Sequence, residues 1–362
     1  MKYITEYRDS SRVKVLVNQI EQTITKHWVV MEICGGQTHA IMRYGLDQLL
    51  PKDLELVHGP GCPVCVTSLE LVDRALNIAS RPNVIFTSYG DMLRVPGSNR
   101  DLFSIRAAGG DVRVVYSPLD AIRLAQNNPE KDVVFFAIGF ETTAPANAMS
   151  IIHAKDLGLK NFSVLASQVR VPPAISLILG SPGNRVQGFL AAGHVCTVMG
   201  FWEYPSISSN FKIPIVITGF EPVDILQGIL KVLQQLEEGQ FEVENAYQRL
   251  VSFNGNQAAQ TTINKVYEGC DQTWRGIGKI PDSGWRIRDE FAFYDAAKRY
   301  QVTELHTSES PLCIAGDILQ GKKKPLACSQ FGTTCTPENP LGATMVSSEG
   351  ACAAYYRYRN QP

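Results

Sequence analysis

Hydrophobic and polar positions alternate along this chain in two ways. In SSRVKVLVNQIEQTIT, hydrophobic residues recur at helical spacing, which predicts an N-terminal helix capped by Ser10 or Ser11. Short apolar runs that end in glycine or polar residues then alternate with helix-like stretches such as SLELVDRALNIAS. This alternation is typical of βαβ units and predicts a buried parallel sheet. The first four runs are WVVMEICGG, LELVHGPG, NVIFTSYGD and VRVVYSPLD.

A second group of four apolar runs follows: DVVFFAIGFETT, NFSVLASQV, VQGFLAAGHV and KIPIVITGFEP. An internal duplication and the general likeness of buried parallel strands explain the repetition equally well. We predict an α/β fold with two similar Rossmann-like parallel-sheet domains and a smaller, mostly helical or irregular third domain. The predicted bounds are 28–120 and 121–235 for the α/β domains, 236–362 for the third, and 1–27 for an N-terminal helix that packs on the third domain.

Composition narrows the classes of function. The 362 residues carry a formal net charge of -1 and are 19% charged and 44% hydrophobic, so we expect no binding of nucleic acid or an anionic membrane. The first residues lack a signal-peptide core, and no run approaches the roughly 20 apolar residues of a membrane span, so we expect a cytoplasmic protein. In that reducing compartment, nine cysteines indicate metal ligation or redox chemistry rather than a disulfide framework.

Four cysteines near the C-terminus follow the pattern C-x14-C-x6-C-x16-C. Thiolate sulfur is a soft ligand, so the candidates are zinc and an iron–sulfur cluster. Structural zinc sites usually contain closer cysteine pairs, whereas a four-iron cluster binds its cysteines at different irons and accepts wider spacing. The spacing favours a cluster over zinc, with unliganded buried thiols as the third alternative. The four are Cys313, Cys328, Cys335 and Cys352.

Three further cysteines follow the first two predicted strands. Cys34 ends the first strand, with Thr38 and His39 a few residues away. Because ligands bind at the carboxyl ends of strands in open α/β sheets, this thiol is a candidate nucleophile or metal ligand, although a lone cysteine is usually a small hydrophobic residue. Cys62 and Cys65 form a C-x-x-C motif at the same predicted edge. With no second close pair to complete a zinc site, a redox dithiol is the favoured role.

Four other polar residues are candidates for a cleft. Glu141, His194 and Glu221 each follow an apolar run, and Glu349 lies among the C-terminal cysteines. A hydrogen-bonded structural role explains each of them equally well. The loops GGQTH and GPGCP match neither G-x-G-x-x-G nor a Walker A loop, so nucleotide binding has little support.

Together these motifs resemble those of one family, the hydrogenase maturation protein HypD. They occur in family order across nearly the whole chain, and the spacing of the four C-terminal cysteines matches the family's cluster signature. The matching segments are EICGGQTHAI, HGPGCPVCVT, GFETTAP, GHV, TGFEPVDILQG, WRGIG and CTPENPLGATMVSSEGACAAYYRY.

The resemblance implies a scaffold that, with the small chaperone HypC, assembles the Fe(CN)2CO unit of [NiFe]-hydrogenases. HypE, charged with cyanide made through HypF, would donate ligands. Cys34 would hold the transient iron of that unit together with a HypC cysteine. Cys62 and Cys65 would relay electrons from a [4Fe-4S] cluster held by the four C-terminal cysteines. The resemblance therefore implies a redox-active assembly scaffold rather than a conventional turnover enzyme, with an iron–sulfur cluster in its third domain.

The chain departs from the family pattern at four positions. Gln37 and Val169 stand where many members have histidine, which leaves His39 as the expected imidazole beside Cys34. Some members have extra cysteines at the positions of Ala315 and Thr344, so their absence supports the remaining four as cluster ligands. Two other functions stay open: a zinc-containing thiol–disulfide oxidoreductase that acts on a protein partner, and an inert platform for HypC.

Overall fold

The computed structural model describes residues 4–302, 305, 307 and 309–359. The strands in this part of the chain are β1 (Trp28–Glu32), β2 (Leu54–His58), β3 (Val84–Ser88), β4 (Asp111–Val114), β5 (Asp132–Gly139), β6 (Phe162–Val169), β7 (Gly188–Ala192), β8 (Ile215–Thr218), β9 (Val243–Asn245), β10 (Tyr267–Trp274) and β11 (Gly278–Ile287).

The helices of the described residues are α1 (Ser10–Thr23), α2 (Gly35–Tyr44), α3 (Leu46–Leu49), α4 (Pro63–Val66), α5 (Leu69–Ala79), α6 (Leu102–Ala107), α7 (Pro118–Asn127), α8 (Ala144–Asp156), α9 (Val171–Gly180), α10 (Gly193–Met199), α11 (Tyr204–Phe211), α12 (Pro222–Glu238), α13 (Gln257–Val266), α14 (Ala296–Tyr300), α15 (Ala315–Leu319) and α16 (Ala351–Arg359). No helix of the described residues is long and apolar enough to cross a membrane.

The strands form two sheets. The first has the order β2-β1-β7-β8-β9 and is parallel throughout. The second has the order β10-β11-β6-β5-β3-β4, in which the last four strands are parallel and the hairpin β10–β11 adds two antiparallel strands. Four of these nine parallel strands are buried at every residue and three more at all but one, which explains their continuous apolar runs. The prediction of an α/β fold with two Rossmann-like sheets is confirmed.

The two sheets do not follow the contiguous bounds expected from the sequence. Segment 28–120 supplies β1 and β2 to the first sheet but β3 and β4 to the second, and segment 121–235 is divided in the same way. Along the chain, β1 and β2 therefore belong to the first sheet, β3 to β6 form the parallel part of the second, and β7 and β8 belong to the first sheet again. Apolar periodicity identifies a buried strand but contains no information about its partner, so the bounds could not be found this way.

The N-terminal helix forms where the pattern predicts it, with a different cap and a different main contact. Asp9, rather than Ser10 or Ser11, accepts hydrogen bonds from the first turn, at 2.8 Å from the Ser11 nitrogen and 3.0 Å from that of Arg12. Its buried residues Leu16 and Ile20 belong to a core that includes one face of α12, and α12 is its main neighbour. The expectation that 1–27 packs on the C-terminal domain is therefore corrected.

The carboxyl ends of the central parallel strands meet at one edge of the first sheet. Glu32 at the end of β1 is paired in register with His58 at the end of β2 and with Leu190 in β7. Cys34 follows β1 by two residues, Gly59 directly follows β2, and Gly193 directly follows β7 as the first residue of α10. Residues distant in sequence are thus collected at one edge, where open parallel sheets place their ligand sites.

Candidate functional site

Cys34 lies just after β1 and is the N-cap of α2. Its side chain is buried, and its N–H donates a hydrogen bond to Glu32 Oε2 at 3.0 Å. Burial raises the pKa of this thiol well above its ordinary value, and the nearby carboxylate of Glu349 raises it further. The free side chain is therefore a neutral thiol at pH 7, and binding to a metal ion has to release its proton.

The C-x-x-C loop packs directly on Cys34. The N–H of Gly35 donates to the carbonyl of Gly61 at 3.2 Å. A Cβ atom at Gly61 would overlap the backbone of Cys34, so the close approach of the two loops requires glycine there. The structure therefore brings the two cysteine motifs together, as expected for loops that follow neighbouring parallel strands.

Cys62 and Cys65 form a disulfide. Cys62 caps the short helix α4, with its Sγ 3.2 Å from the N–H of Cys65, and Pro63 begins the helix. Both cysteines are buried, and Cys65 Sγ lies 3.9 Å from the carbonyl oxygen of Ala343. The disulfide is thus held in a tight turn, with Cys65 directed toward the C-terminal segment.

The imidazole that faces Cys34 belongs to His194, at the start of α10. Its Nε2 lies 3.7 Å from Cys34 Sγ, and its ring stacks on that of Phe220 with centroids 5.0 Å apart. Burial lowers the pKa of His194 to about 4, so the ring is neutral at pH 7.

His39 does not face the thiol, so the expectation that it is the imidazole beside Cys34 is wrong. Its Nδ1 lies 3.1 Å from the carbonyl oxygen of Ser348, and its Nε2 lies 3.4 Å from the hydroxyl of Tyr358. Five positions along an α-helix correspond to a rotation of about 140° between Cys34 and His39. His39 and Cys34 are close in sequence but lie on different faces of the helix, so the prediction from sequence proximity failed.

A buried polar network lies beneath Cys34. Glu32 accepts a hydrogen bond from the hydroxyl of Thr38 and lies 2.6 Å from His58 Nδ1, and His58 Nε2 lies 3.1 Å from the Tyr355 hydroxyl. Burial raises the pKa of Glu32, against the opposing effect of these hydrogen bonds. Thr38 therefore orients Glu32 rather than the sulfur atom, and the network joins β1, β2 and α16.

The sequence analysis missed Glu32 and His58. A signal was present, because Glu32 is an acidic residue inside the apolar run WVVMEIC, and a fully buried strand carries a carboxylate only where other groups bind it. Its partner His58 is 26 positions away and ends another strand, so only the register of β1 with β2 reveals the pair.

The four C-terminal cysteines line a single cavity, otherwise largely apolar, with lining residues that include Ile318, Phe331 and Met345. The N–H of Leu341 donates to Cys335 Sγ at 3.4 Å, and the Thr344 hydroxyl donates to Cys352 Sγ at 3.2 Å. Four sulfur atoms with hydrogen-bond donors in an apolar setting have the ligand chemistry of a soft metal centre or an iron–sulfur cluster. They do not form a ready site for a single metal ion, because no three His, Cys, Asp or Glu side chains of the described residues are grouped closely enough to hold one.

A second cavity connects this region to the disulfide. Its lining includes both Cys65 and Cys313, together with Gly342 and Ala343. A Cβ atom at Gly342 would overlap Cys313 Sγ, while the next carbonyl, that of Ala343, faces Cys65 Sγ. Gly342 therefore adjoins a sulfur atom of the C-terminal cysteine group, and the next residue, Ala343, adjoins one of the C-x-x-C motif.

Arg275, in the WRGIG segment, is buried at this second cavity. Its backbone N–H donates to the carbonyl of Val66 at 2.9 Å, immediately after the C-x-x-C motif. Its guanidinium donates to the carboxylate of Glu309 at 3.1 Å and to the carbonyl of Pro96 at 2.9 Å. The turn between β10 and β11 thus holds the disulfide helix on one side and the cysteine-rich segment on the other.

The remaining cleft candidates lie in different surroundings. Glu349 adjoins Cys34, since a Cβ atom at Gly35 would lie 2.6 Å from its Cβ. Glu221 forms an ion pair with Arg8. Glu141 belongs to the second sheet, where one oxygen accepts the Val171 N–H at 2.8 Å and the other has no partner among the described residues.

The two positions that lack the expected histidine are part of the buried framework. The side-chain nitrogen of Gln37 donates to the carbonyl of Ala191 at 3.3 Å, which ties α2 to β7. Val169 is buried at the end of β6. Neither position therefore supplies an ionisable group.

Comparisons with known proteins identify relatives of this chain. The HypD family model, described as "Hydrogenase formation hypA family", matches residues 11–359. The chain is 46% identical to the hydrogenase maturation factor HypD of Rhodobacter capsulatus, over 99% of this chain and 98% of that protein. Identity is 47% with HypD of Azotobacter vinelandii, over 100% and 98% of the two chains, and 43% with that of Escherichia coli K12, over 100% and 99%. The chain therefore belongs to the HypD family of hydrogenase maturation factors.

Proposed function

We propose that this protein is a redox-active scaffold on which the Fe(CN)2CO unit of [NiFe]-hydrogenases is assembled. It would act in the cytoplasm in complex with HypC, and HypE, supplied through HypF, would donate cyanide. Membership of the HypD family supports hydrogenase maturation as the process. The arrangement of its cysteines supports three separate roles: iron binding, cluster binding and thiol–disulfide redox chemistry.

Cys34 would bind the iron that is the cargo of this assembly. Its sulfur atom is a soft ligand, suited to low-valent iron, and it lies buried at the sheet edge beside the disulfide. A HypC cysteine would supply a further ligand. The contact of Glu32 with the N–H of Cys34 fixes the loop from which the thiol projects.

The four cysteines of the apolar cavity would hold a resident [4Fe-4S] cluster, for which their sulfur atoms and hydrogen-bond donors are suited. When bound, such a cluster supplies electrons one at a time. Cys352 lies in α16 and the other three cysteines lie in the loops before and after α15, so these segments would position the cluster.

Cys62 and Cys65 would act as the two-electron redox couple. Cleavage of their S–S bond takes up two electrons and two protons and yields two thiols, and re-formation of the bond returns them. The observation that carries this proposal is the shared cavity of Cys65 and Cys313, with Gly342 and Ala343 contacting one sulfur atom each. Burial of the couple limits exchange with other thiols in the cell.

The first test is the content of iron, zinc and acid-labile sulfide in anaerobically purified protein. We expect about four irons and four sulfides per chain, lost in Cys328→Ser and retained in Cys270→Ser, whose partly exposed thiol lies outside all the motifs. One zinc without sulfide, unchanged after anaerobic reconstitution with iron and sulfide, would overturn the cluster and favour a zinc-containing oxidoreductase.

The second test separates a redox couple from an inert platform. In Cys62→Ser and Cys65→Ser we expect loss of active hydrogenase in a complemented strain, with retained HypC binding and cluster content. Normal hydrogenase activity in both variants would show that the dithiol does not cycle and that the protein is a binding platform only.

A further inference from the structure

The imidazole of His194 lies beside Cys34 and has no part in the proposed role of Cys34 as an iron ligand. His194 follows β7, the strand next to β1, so its ring reaches Cys34 across the same sheet edge. The sulfur lies 3.7 Å from Nε2 and 4.0 Å from Nδ1 of this ring. No other polar partner of this ring is found among the described residues.

The separation of sulfur and nitrogen suits two ligands of one metal ion. With metal–sulfur and metal–nitrogen bonds of about 2.3 and 2.05 Å at a tetrahedral angle, two such ligands lie about 3.5 Å apart. The observed 3.7 Å is close to that value. Imidazole nitrogen and thiolate sulfur are both ligands for iron, cobalt and zinc.

Two neighbouring residues, Phe220 and Gly36, shape the surroundings of this pair. Phe220 stacks on the imidazole with an interplanar angle of 14°, which fixes the plane of the ring. A Cβ atom at Gly36 would lie 3.7 Å from Cys34 Sγ and 3.2 Å from the Phe220 ring, so glycine keeps this side of the sulfur open. The plane of the imidazole is therefore fixed, and no side chain at residue 36 covers the sulfur.

We propose that His194 and Cys34 together form a two-ligand site for a divalent transition-metal ion, with the remaining positions left for a partner protein and small ligands. Binding forms one metal–sulfur and one metal–nitrogen bond and releases the thiol proton to solvent. Two ligands would hold the ion weakly enough for later transfer. This inference rests on the proposed role of Cys34 as iron ligand and adds the second protein ligand to it.

The probe for the test is Co²⁺, added anaerobically to protein whose cluster is assembled and whose Cys62–Cys65 disulfide is intact. The cysteines of the cluster site and of the disulfide are then not available to bind Co²⁺. X-ray absorption at the cobalt edge reports on the bound cobalt rather than on the iron of the cluster. We expect one sulfur and one imidazole ligand in the parent. His194→Phe keeps an aromatic ring against Phe220 but removes both nitrogens, and His39→Phe is the matched control.

In His194→Phe we expect the imidazole scattering to disappear and the affinity for Co²⁺ to fall by about tenfold or more, with an unchanged cluster content as evidence of folding. His39→Phe should behave as the parent. Parent-like cobalt spectra and affinity in His194→Phe, together with loss of binding in Cys34→Ser, would overturn the role of His194 alone. Parent-like binding in Cys34→Ser would instead overturn the iron site at Cys34.

Discussion

At the scale of single residues, burial controls the protonation of Glu141. Glu141 is buried beside α9, and its carboxyl group accepts the Val171 N–H. Burial raises its pKa to about 7, against the opposing effects of backbone hydrogen bonds and of Arg170. The native state therefore holds a proton on Glu141 more tightly than the unfolded chain does, so its contribution to stability is present at low pH and is lost as the pH rises through about 7.

We expect Glu141→Gln to stabilise the protein above pH 7 and to change little near pH 5. The amide oxygen can still accept the Val171 N–H, and the cost of a buried charge is removed. The gain at pH 8 should be about 1–3 kcal/mol in free energy of unfolding, measured by urea titration at both pH values. The exposed Glu130→Gln is the matched control for loss of one carboxylate. Equal stability of Glu141→Gln and parent at pH 8 would contradict this account.

At the scale of secondary-structure elements, the hairpin β10–β11 fixes the position of the disulfide. Trp274 forms an antiparallel bridge with Thr67, next to the hydrogen bond between Arg275 and Val66. The ion pair of Arg275 with Glu309 then fastens the segment that covers the cavity of Cys65. The hairpin β10–β11, which belongs to the second sheet, thus controls solvent access to the C-x-x-C motif, which follows strand β2 of the first sheet.

We expect Arg275→Met to make the Cys62–Cys65 disulfide easier to reduce from solution. Loss of an ion pair worth up to about 1 kcal/mol should favour opening of the cover, and so speed reduction by dithiothreitol by about fivefold. Timed thiol labelling and mass spectrometry measure this rate. Arg286→Met is the control, because it removes an exposed ion pair with Glu268 from the same hairpin. A rate equal to that of the parent would show that Glu309 does not restrict access.

At the scale of the whole molecule, α16 connects the two chemical regions. It carries Cys352 of the apolar cavity and, one turn later, Tyr355, whose hydroxyl contacts His58 in the network beneath Cys34. Its neighbour in the first-sheet domain is α2, the helix that Cys34 caps. Displacement of the C-terminal helix therefore affects the thiol loop and the cysteine cavity together.

We expect Tyr355→Phe to lower the free energy of unfolding by about 1–3 kcal/mol, because it leaves His58 Nε2 buried without its partner. Hydrogen exchange should increase at residues 54–58 as well as in α16. Tyr356→Phe, which changes a partly exposed ring on the same helix, should leave both quantities near the parent values. Increased exchange confined to α16 would contradict the coupling.

The sequence by itself determined which segments become buried strands and which motifs carry chemistry. Continuous apolar runs such as 133–138 and 189–192 are typical of strands covered on both faces, so the α/β class followed from the pattern. The position of Cys34 beside the C-x-x-C motif also followed, because loops after neighbouring parallel strands lie at one edge. These predictions need only short sequence segments and the tendency of consecutive parallel strands to lie side by side.

Only the tertiary structure decided which distant residues meet. The two sheets exchange segments of the chain, His194 rather than His39 faces Cys34, and Glu32 is buried against His58. The same holds for the adjacency of Gly342 to Cys313 and of Ala343 to Cys65. These contacts depend on strand order and register, which are set by packing over the whole molecule and leave no local pattern in the sequence.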